Sequence, residues 1–492
     1  MYYLGVDLGT SSIKLVAADE NGVILATESA EYGLSFPKTG WSEQNPEDWV
    51  KGFYESLEKL SHKIDLKRIR GISFGGQMHG LVMLDRDDFV IRPAILWNDG
   101  RTTEECDYLN HVIGQDKISS YTANMALTGF TAPKILWVRK HEPENFAKIN
   151  KIMLPKDYLC YVLTGVHSCD YSDASGMLLL DVKNKCWSKE MLDICGIKEE
   201  MMPKLFESYA VCGVIKPEIA SKCGLSEGTR VIAGAGDNAA GAIGTGTVKD
   251  GMTIVSLGTS GTVFVAVDKF AVDDKNVLHM FAHANGRYHL MGCMLSAASS
   301  NKWWMDEIIG TKDYKAEQAK IGTLGENNVF YLPYLMGERT PHNDPNARGA
   351  FVGMSMNTKR EDMTLAVLEG VTFALRDSVE IARSLGVNIT TIRATGGGAK
   401  SDLWRKLLAD ILNVNVEIMN SEEGPGYGAA ILAMVGCGVY KSVFEATDKM
   451  IKVAETITPD PELVKKYDKK YKIWKNIYPA LKTTYDEIAK QD

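Results

Sequence analysis

One local pattern occurs twice in this chain, and it narrows the possible folds more than any other feature. A strand, a Gly-Thr-Ser turn and a second strand occupy residues 4–17 and return at 253–266. The first copy reads Asp7-Leu8-Gly9-Thr10-Ser11-Ser12, the second Ser256-Leu257-Gly258-Thr259-Ser260-Gly261. The strand context repeats along with the tripeptide. A supersecondary unit that recurs about 250 residues later implies duplicated domains. The 492 residues leave room for two large ones. A short polar stretch at 248–251 divides them into 1–248 and 249–492.

Local signals fill in an α/β chain. Strands are predicted at 2–6, 13–18 and 23–27, with Asn21-Gly22 as a tight turn. A helix over 46–62 follows, with Asn45 as its cap and Pro46 as its first residue. Trp49, Phe53, Leu57 and Leu60 share one face of it. Strands at 69–74, 230–233, 253–256, 262–267, 391–394 and 414–419 alternate with helices. The glycine run in 424–440 reads as the start of a close-packed buried helix. Residues 461–490 read as one amphipathic helix lying on the body.

Composition excludes several classes. Lys and Arg number 55 against 63 Asp and Glu, a net charge of −8, which argues against nucleic acid or an anionic membrane as main partner. Nine scattered cysteines include no C-x-x-C pair, so reduced thiols in a cytoplasmic protein are expected and a structural zinc site is not. Asp7 interrupts the apolar N-terminus, which speaks against a signal peptide, and no apolar run is long enough to span a membrane.

The two turns suggest chemistry. A glycine turn exposes successive backbone N–H groups, and adjacent hydroxyls add donors; together they make a phosphate cradle. Either turn alone is equally served by an ordinary hairpin. Two facing copies would grip a polyphosphate from both sides. Asp7 stands where a carboxylate can hold Mg²⁺ on those phosphates; its counterpart is Ser256. A third cluster, Gly396-Gly397-Gly398-Ala399, lets a flat ring approach closely, and the helix from Ser401 offers its N-terminus. A tight strand–helix connection would look the same.

Asp237 lies between Gly236 and Asn238 at a strand end. It reads either as a helix N-cap or as a general base in an interdomain cleft. Gln77-Met78-His79 and Trp97-Asn98-Asp99-Gly100-Arg101 offer amide, imidazole, indole, carboxylate and guanidinium groups within two short loops. That inventory suits a polyhydroxyl ligand with an apolar face. The chain has no Walker motif and no nucleophile elbow. Gly424–Ala429 matches a dinucleotide fingerprint, but only some 50 mostly helical residues after it remain for such a domain.

These residues resemble the FGGY carbohydrate kinases over nearly the whole chain, from Tyr3 to about Gly436. Gly5–Ser11 is similar to the family's first phosphate motif, Leu257–Gly261 to its second, and Gly396–Ala399 to its adenosine loop. Gly129–His141, with Lys134 and Trp137, and Gly337–His342 resemble two further signatures. Gly76–Gly80, Pro93–Arg101 and Gly236–Gly241 look like the xylulokinase branch; the Arg-Glu pair of glycerol kinases is missing near Gln77–His79. Tyr427 is bulkier than the residues usual in the late glycine run.

The resemblance implies a two-domain actin/hexokinase-like (ribonuclease H-like) ATPase fold with a cleft between duplicated domains. It implies transfer of the ATP γ-phosphoryl group to the 5-hydroxyl of D-xylulose. Asp237 would be the base. Gln77, Met78, His79, Trp97, Asn98, Asp99 and Asn238 would meet the sugar. Gly9, Thr10, Ser11, Ser12, Lys14, Gly258, Thr259, Ser260, Gly396, Gly397, Gly398, Ala399 and Ser401 would hold ATP, and Asp7 the Mg²⁺. A homodimer is expected on the same ground. The rival readings are a kinase of this fold acting on another ketose or sugar acid, and an actin- or chaperone-like ATPase. The latter leaves the two polar loops without a role.

Overall fold

The computed structural model describes residues 1–420 and 423–491. The chain opens with a meander of β1 (Tyr2–Leu8), β2 (Ser12–Asp19) and β3 (Ile24–Glu31). α1 (Pro46–Ser61) crosses one face and returns the chain to β4 (Ile69–Gly76), parallel to β1. The Asn45 side chain caps α1 by accepting from the Glu47 N–H, and Pro46 takes the first position. Trp49, Phe53, Leu57 and Leu60 are all buried beneath it. After α2 (Pro155–Thr164) comes β5 (Arg230–Ile232), parallel to β4, and then α3 (Asp237–Gly244).

The second half repeats this order. β6 (Thr253–Leu257), β7 (Gly261–Val267) and β8 (Tyr288–Met294) form an antiparallel meander. α4 (Arg360–Ser384) leads back to β9 (Thr391–Thr395), parallel to β6. α5 (Asp402–Leu412), β10 (Asn415–Met419) and α6 (Gly424–Gly436) complete it, with β10 parallel to β9. The sheets run β3-β2-β1-β4-β5 and β8-β7-β6-β9-β10, each extended by antiparallel edge strands. The duplication expected from the two turns is therefore a duplication of topology, in the actin/hexokinase-like arrangement.

The halves meet where α3 crosses α6. A Cβ on Gly428 would lie 1.8 Å from the Ala240 carbonyl oxygen, and one on Gly244 would lie 2.2 Å from that of Gly424. α6 also presses on β1: a Cβ on Gly5 would come within 1.9 Å of the Gly426 oxygen. The late glycine run thus lets two helices and a strand touch backbone to backbone. Tyr427 fits there because its ring turns away and its hydroxyl donates to the Gly22 carbonyl at 2.8 Å.

The tail corrects one expectation. Residues 461–490 are not one helix but two, α7 (Pro461–Trp474) and α8 (Ile477–Ile488). Pro479 is the reason. It has no N–H to give to the carbonyl four residues back, and its ring clashes with that carbonyl, so a continuous helix cannot pass. Tyr467, Tyr471, Trp474 and Tyr485 are nonetheless buried, as an amphipathic face requires. Among the described residues no helix is long and apolar enough to cross a membrane.

Candidate active site

The two turns are held alike. In the first, the Gly9 carbonyl accepts from the Tyr32 hydroxyl at 2.6 Å and the Gln77 amide at 3.3 Å. The Thr10 carbonyl accepts from the Gln44 amide at 2.6 Å, and the Ser11 carbonyl from the Tyr32 N–H at 3.1 Å. In the second, the Gly258 carbonyl accepts from the Ala298 N–H at 2.8 Å. The Thr259 carbonyl accepts from the Ala297 N–H at 3.0 Å and the Ser299 hydroxyl at 2.7 Å. With the carbonyls occupied from behind, the N–H groups of Thr10, Ser11, Thr259 and Ser260 find no acceptor among the described residues. Preorganised donors of this kind suit phosphate oxygens.

Two carboxylates, Asp7 and Asp237, influence each other electrostatically, and Asp237 lines a cavity. Asp7 is the penultimate residue of β1, opposite Lys14 on β2. Its carboxyl is pushed up to about 7, first by burial, then by the charge of Asp237, with Lys14 opposing. Lys14 also pairs with Glu423. Asp237 is not the N-cap of α3; Gly236 takes that position and Asp237 is the first helical residue. Its Oδ1 accepts from the Asn238 N–H at 2.7 Å and from the Asn238 side-chain amide at 2.9 Å. Burial pushes it up to about 6 against those two bonds. Such a carboxylate is poised to exchange a proton near neutral pH.

The residues expected to meet the sugar divide into two groups. Met78 packs under the Asp237 turn: a Cβ on Gly236 would lie 2.9 Å from its Cγ. His79 has φ +69°, in the left-handed region, and three bonds hold it there. Its carbonyl accepts from Lys134 Nζ at 2.8 Å and the Thr131 hydroxyl at 3.0 Å, and its Nδ1 meets the Gly176 carbonyl at 2.7 Å. Because that partner only accepts, Nδ1 carries the proton and Nε2 keeps a lone pair for a ligand hydroxyl. Burial, then Lys134, holds the ring well below the usual imidazole range. Lys134 itself is pushed down to about 7 by burial.

The second group serves the frame. Gln77 is buried and its amide braces the first turn. Asp99 is buried and accepts from the Ser42 N–H at 2.6 Å and the Arg101 guanidinium at 2.7 Å. Asn98 is exposed beside a surface hollow with Phe36 and Trp41. Trp97 is 46% exposed and donates its indole N–H to Thr10 Oγ1 at 2.9 Å.

Two cavities flank the glycine loop. One, of about 520 Å³, has Asp237 and Asn238 on one wall and Ser256, Thr262, Gly396 and Gly397 on the other. The second, of about 1030 Å³, is lined by Gly258, Thr259, Gly397, Gly398, Ser401 and Trp404 among others. Gly397 borders both. Gly396 has φ +84° and a Cβ there would strike Leu257 at 2.7 Å, so the loop seats directly on the second turn. Ala399 is buried, and borders the first cavity. Ser401 caps α5 at the Trp404 N–H and donates to Gln318 Oε1 at 2.7 Å. Gln318, Tyr32 and Gln44 had no motif to mark them; only the folded chain brings them to the site.

Residues 2–244 match the N-terminal domain of the FGGY family of carbohydrate kinases, and residues 253–437 match its C-terminal domain. This chain belongs to that family. The FGGY chain is 42% identical over 488 residues to the xylulose kinase of Bacillus subtilis, covering 98% of this chain and 97% of the relative. It is similar to the ligand-bound xylulose kinase from Lactobacillus acidophilus, with TM-score 0.94, 29% identity and 99% of each chain covered. The gluconate kinase from the same organism gives the same figures. The FGGY fold itself therefore does not choose the sugar.

Proposed function

We propose that this kinase transfers the γ-phosphoryl group of ATP to the 5-hydroxyl of D-xylulose. The identity with xylulose kinases along the whole chain carries this reading. The site is compatible with it: Met78 packs against Gly236 and Asn238 bonds Asp237, and the cavity beside Asp237 and the one beside the Gly258–Thr259 turn share Gly397.

In this mechanism the turns at Thr10–Ser12 and Thr259–Ser260 hold the polyphosphate, and the loop at Gly396–Ala399 with Ser401 takes the adenosine. Asp237 accepts the hydroxyl proton as the new P–O bond forms in line with the leaving oxygen. Lys14 opposes the upward push that burial and Asp237 exert on Asp7. The residues fit a divalent cation: Asp7 and Asp237 repel each other, and a cation would relieve that strain. No cluster of three or more His, Cys, Asp or Glu among the described residues could cage a metal. That suits Mg²⁺, which is commonly held by one or two carboxylates plus substrate phosphates. Bound there through Asp7, it would neutralise charge on the phosphate oxygens.

Activity over a panel of ketoses and sugar acids, read as ADP release, tests the substrate. No response to D-xylulose ends the assignment, and a response to gluconate alone establishes the rival. For the base, Asp237→Ala is expected to cost at least ~100-fold in kcat; a smaller loss removes it from that role.

A further inference from the structure

Behind the cleft lies a segment that no sequence motif singled out. A short helix, Tyr171–Ser175, with its capping Gly176 joins the residue before Asp237, the His79 ring and a strand of the second half. The Ser172 hydroxyl accepts from the Gly236 N–H at 3.1 Å, one residue before Asp237. The Gly176 carbonyl holds the His79 ring at 2.7 Å. The Ser175 hydroxyl accepts from the Ala282 N–H at 2.9 Å, reaching into the second half.

This helix rests on a buried ionic cluster. Asp170 Oδ2 accepts from the Ser172 hydroxyl at 2.5 Å and the Ser208 hydroxyl at 2.7 Å. Its Oδ1 meets Lys156 Nζ at 2.8 Å. Lys156 is wholly buried and also meets Asp157 at 2.6 Å and Asp173 at 3.5 Å. A Cβ on Gly76 would lie 2.6 Å from Lys156 Cβ, so the lysine stem backs the strand leading into Gln77–His79. Gly76 and Gly236 are partners in one parallel ladder. The cluster therefore sits behind both strands that enter the sugar site. The charge of Asp237 is among the influences on Asp173.

Buried ion clusters usually add little net stability over an apolar core, while breaking one is costly. Asp170 Oδ2 is held by two hydroxyls, and that paired part of the cluster fixes the Ser172 hydroxyl in place. We propose that Ser172, Asp170 and Lys156 are positioning residues for phosphoryl transfer, fixing the Gly236 peptide and through it the Asp237 carboxylate against His79. The proposal rests on the reading of Asp237 as base.

The test is steady-state kinetics on the full chain with ATP and D-xylulose, for Ser172→Ala, Ser172→Thr, Ser208→Ala and Asp237→Ala. Small misplacements of reacting groups cost up to about 100-fold. Ser172→Ala is expected to lose at least ~5-fold in kcat with the KM for ATP unchanged, and Ser172→Thr to recover most of it. A loss below ~5-fold overturns the proposal, as does a loss that Thr does not recover in a folded protein. If Ser172→Ala does not fold, Ser208→Ala decides: it removes one donor to Asp170 without touching Gly236. A fall in its kcat at constant KM for ATP supports the proposal, and unchanged kcat overturns it. Near-parental turnover in Asp237→Ala would defeat the base itself, whereas an inactive Asp237→Ala beside an unimpaired Ser172→Ala defeats only the positioning.

Discussion

Trp97 donates its indole N–H to Thr10 Oγ1 at 2.9 Å, across 87 residues of sequence. One polar loop is thereby latched to the first Gly-Thr-Ser turn. The ring is 46% exposed, so it can meet a ligand while its nitrogen holds the turn. A neutral hydrogen bond is worth about 1 kcal/mol net, a factor near 5 in an equilibrium. Trp97→Phe keeps a ring and drops the bond. It should lower kcat/KM for ATP roughly 3- to 10-fold and cost no more than about 1 kcal/mol of stability. Parental kinetics in this variant would mean that the latch does not matter.

The α3–α6 crossing makes a sharper prediction for stability. At Gly428 the atoms met by an added Cβ are the Ala240 carbonyl at 1.8 Å and the Gly244 nitrogen at 2.8 Å. Both are helix main chain and neither can step aside. Overpacking of this kind costs about 1–3 kcal/mol or more, and Gly428→Ala should reach the upper end. Gly228→Ala, where a Cβ meets nothing within 4 Å, should change stability by less than ~0.5 kcal/mol. Urea denaturation of the pair checks this; equal midpoints would disprove the close approach.

How much of this was legible in the sequence follows from how local each feature is. The hairpins at Gly9 and Gly258 could be read because turn and strands are contiguous. α1 could be read because Asn45 and Pro46 both mark its start. Asp237 was ambiguous because a cap and a first-turn carboxylate look alike in sequence; only the backbone at Gly236 separates them. Gln77 and Asp99 are expected to meet the sugar from the polarity of their loops and from the family resemblance. Their roles as braces depend on Gly9 and Ser42, 68 and 57 residues away, which spacing cannot reveal. The break in the tail was missed because the 3.6-residue pattern of apolar positions runs on through Pro479.

Three buried histidines set an acid limit. His279 and His283 are pushed down to about 3 and about 4, chiefly by burial, with Arg339 adding to the first and the Thr247 carbonyl opposing at the second. His289 lies well below the usual range, through burial and then the other two rings. Each folded value lies below the unfolded one, so the neutral ring stabilises the fold above pH ~6.5 and that contribution is lost as pH falls. The slope reaches about 1.4 kcal/mol per pH unit for each ring. His289 stacks on Phe264 with centroids 4.1 Å apart, so His289→Phe keeps the packing. Urea midpoints at pH 7 and pH 5 should draw closer together in that variant. An unchanged gap would mean that His289 is not held neutral.

Asp237 has the opposite sign. Its folded value of about 6 lies above the usual carboxylate 3.8. The fold therefore favours the protonated acid, and this stabilisation is full below pH ~3.8 and lost as pH rises through 6. At pH 8 the buried charge costs on the order of 3 kcal/mol relative to a neutral group. Asp237→Asn retains an oxygen to accept from Asn238 but never ionises. Without ligands it should be more stable than the parent at pH 8 and no different at pH 4. Turnover should move the other way, because a base works only when ionised: parental kcat should climb through pH 6, and the Asn variant should stay at least ~100-fold lower throughout. Thermal melts at the two pH values, beside a pH–rate profile, separate the two effects. A variant that is less stable than the parent at pH 8 would show that the Asp237 charge is solvated or paired, and would remove the physical basis for its readiness to take the proton.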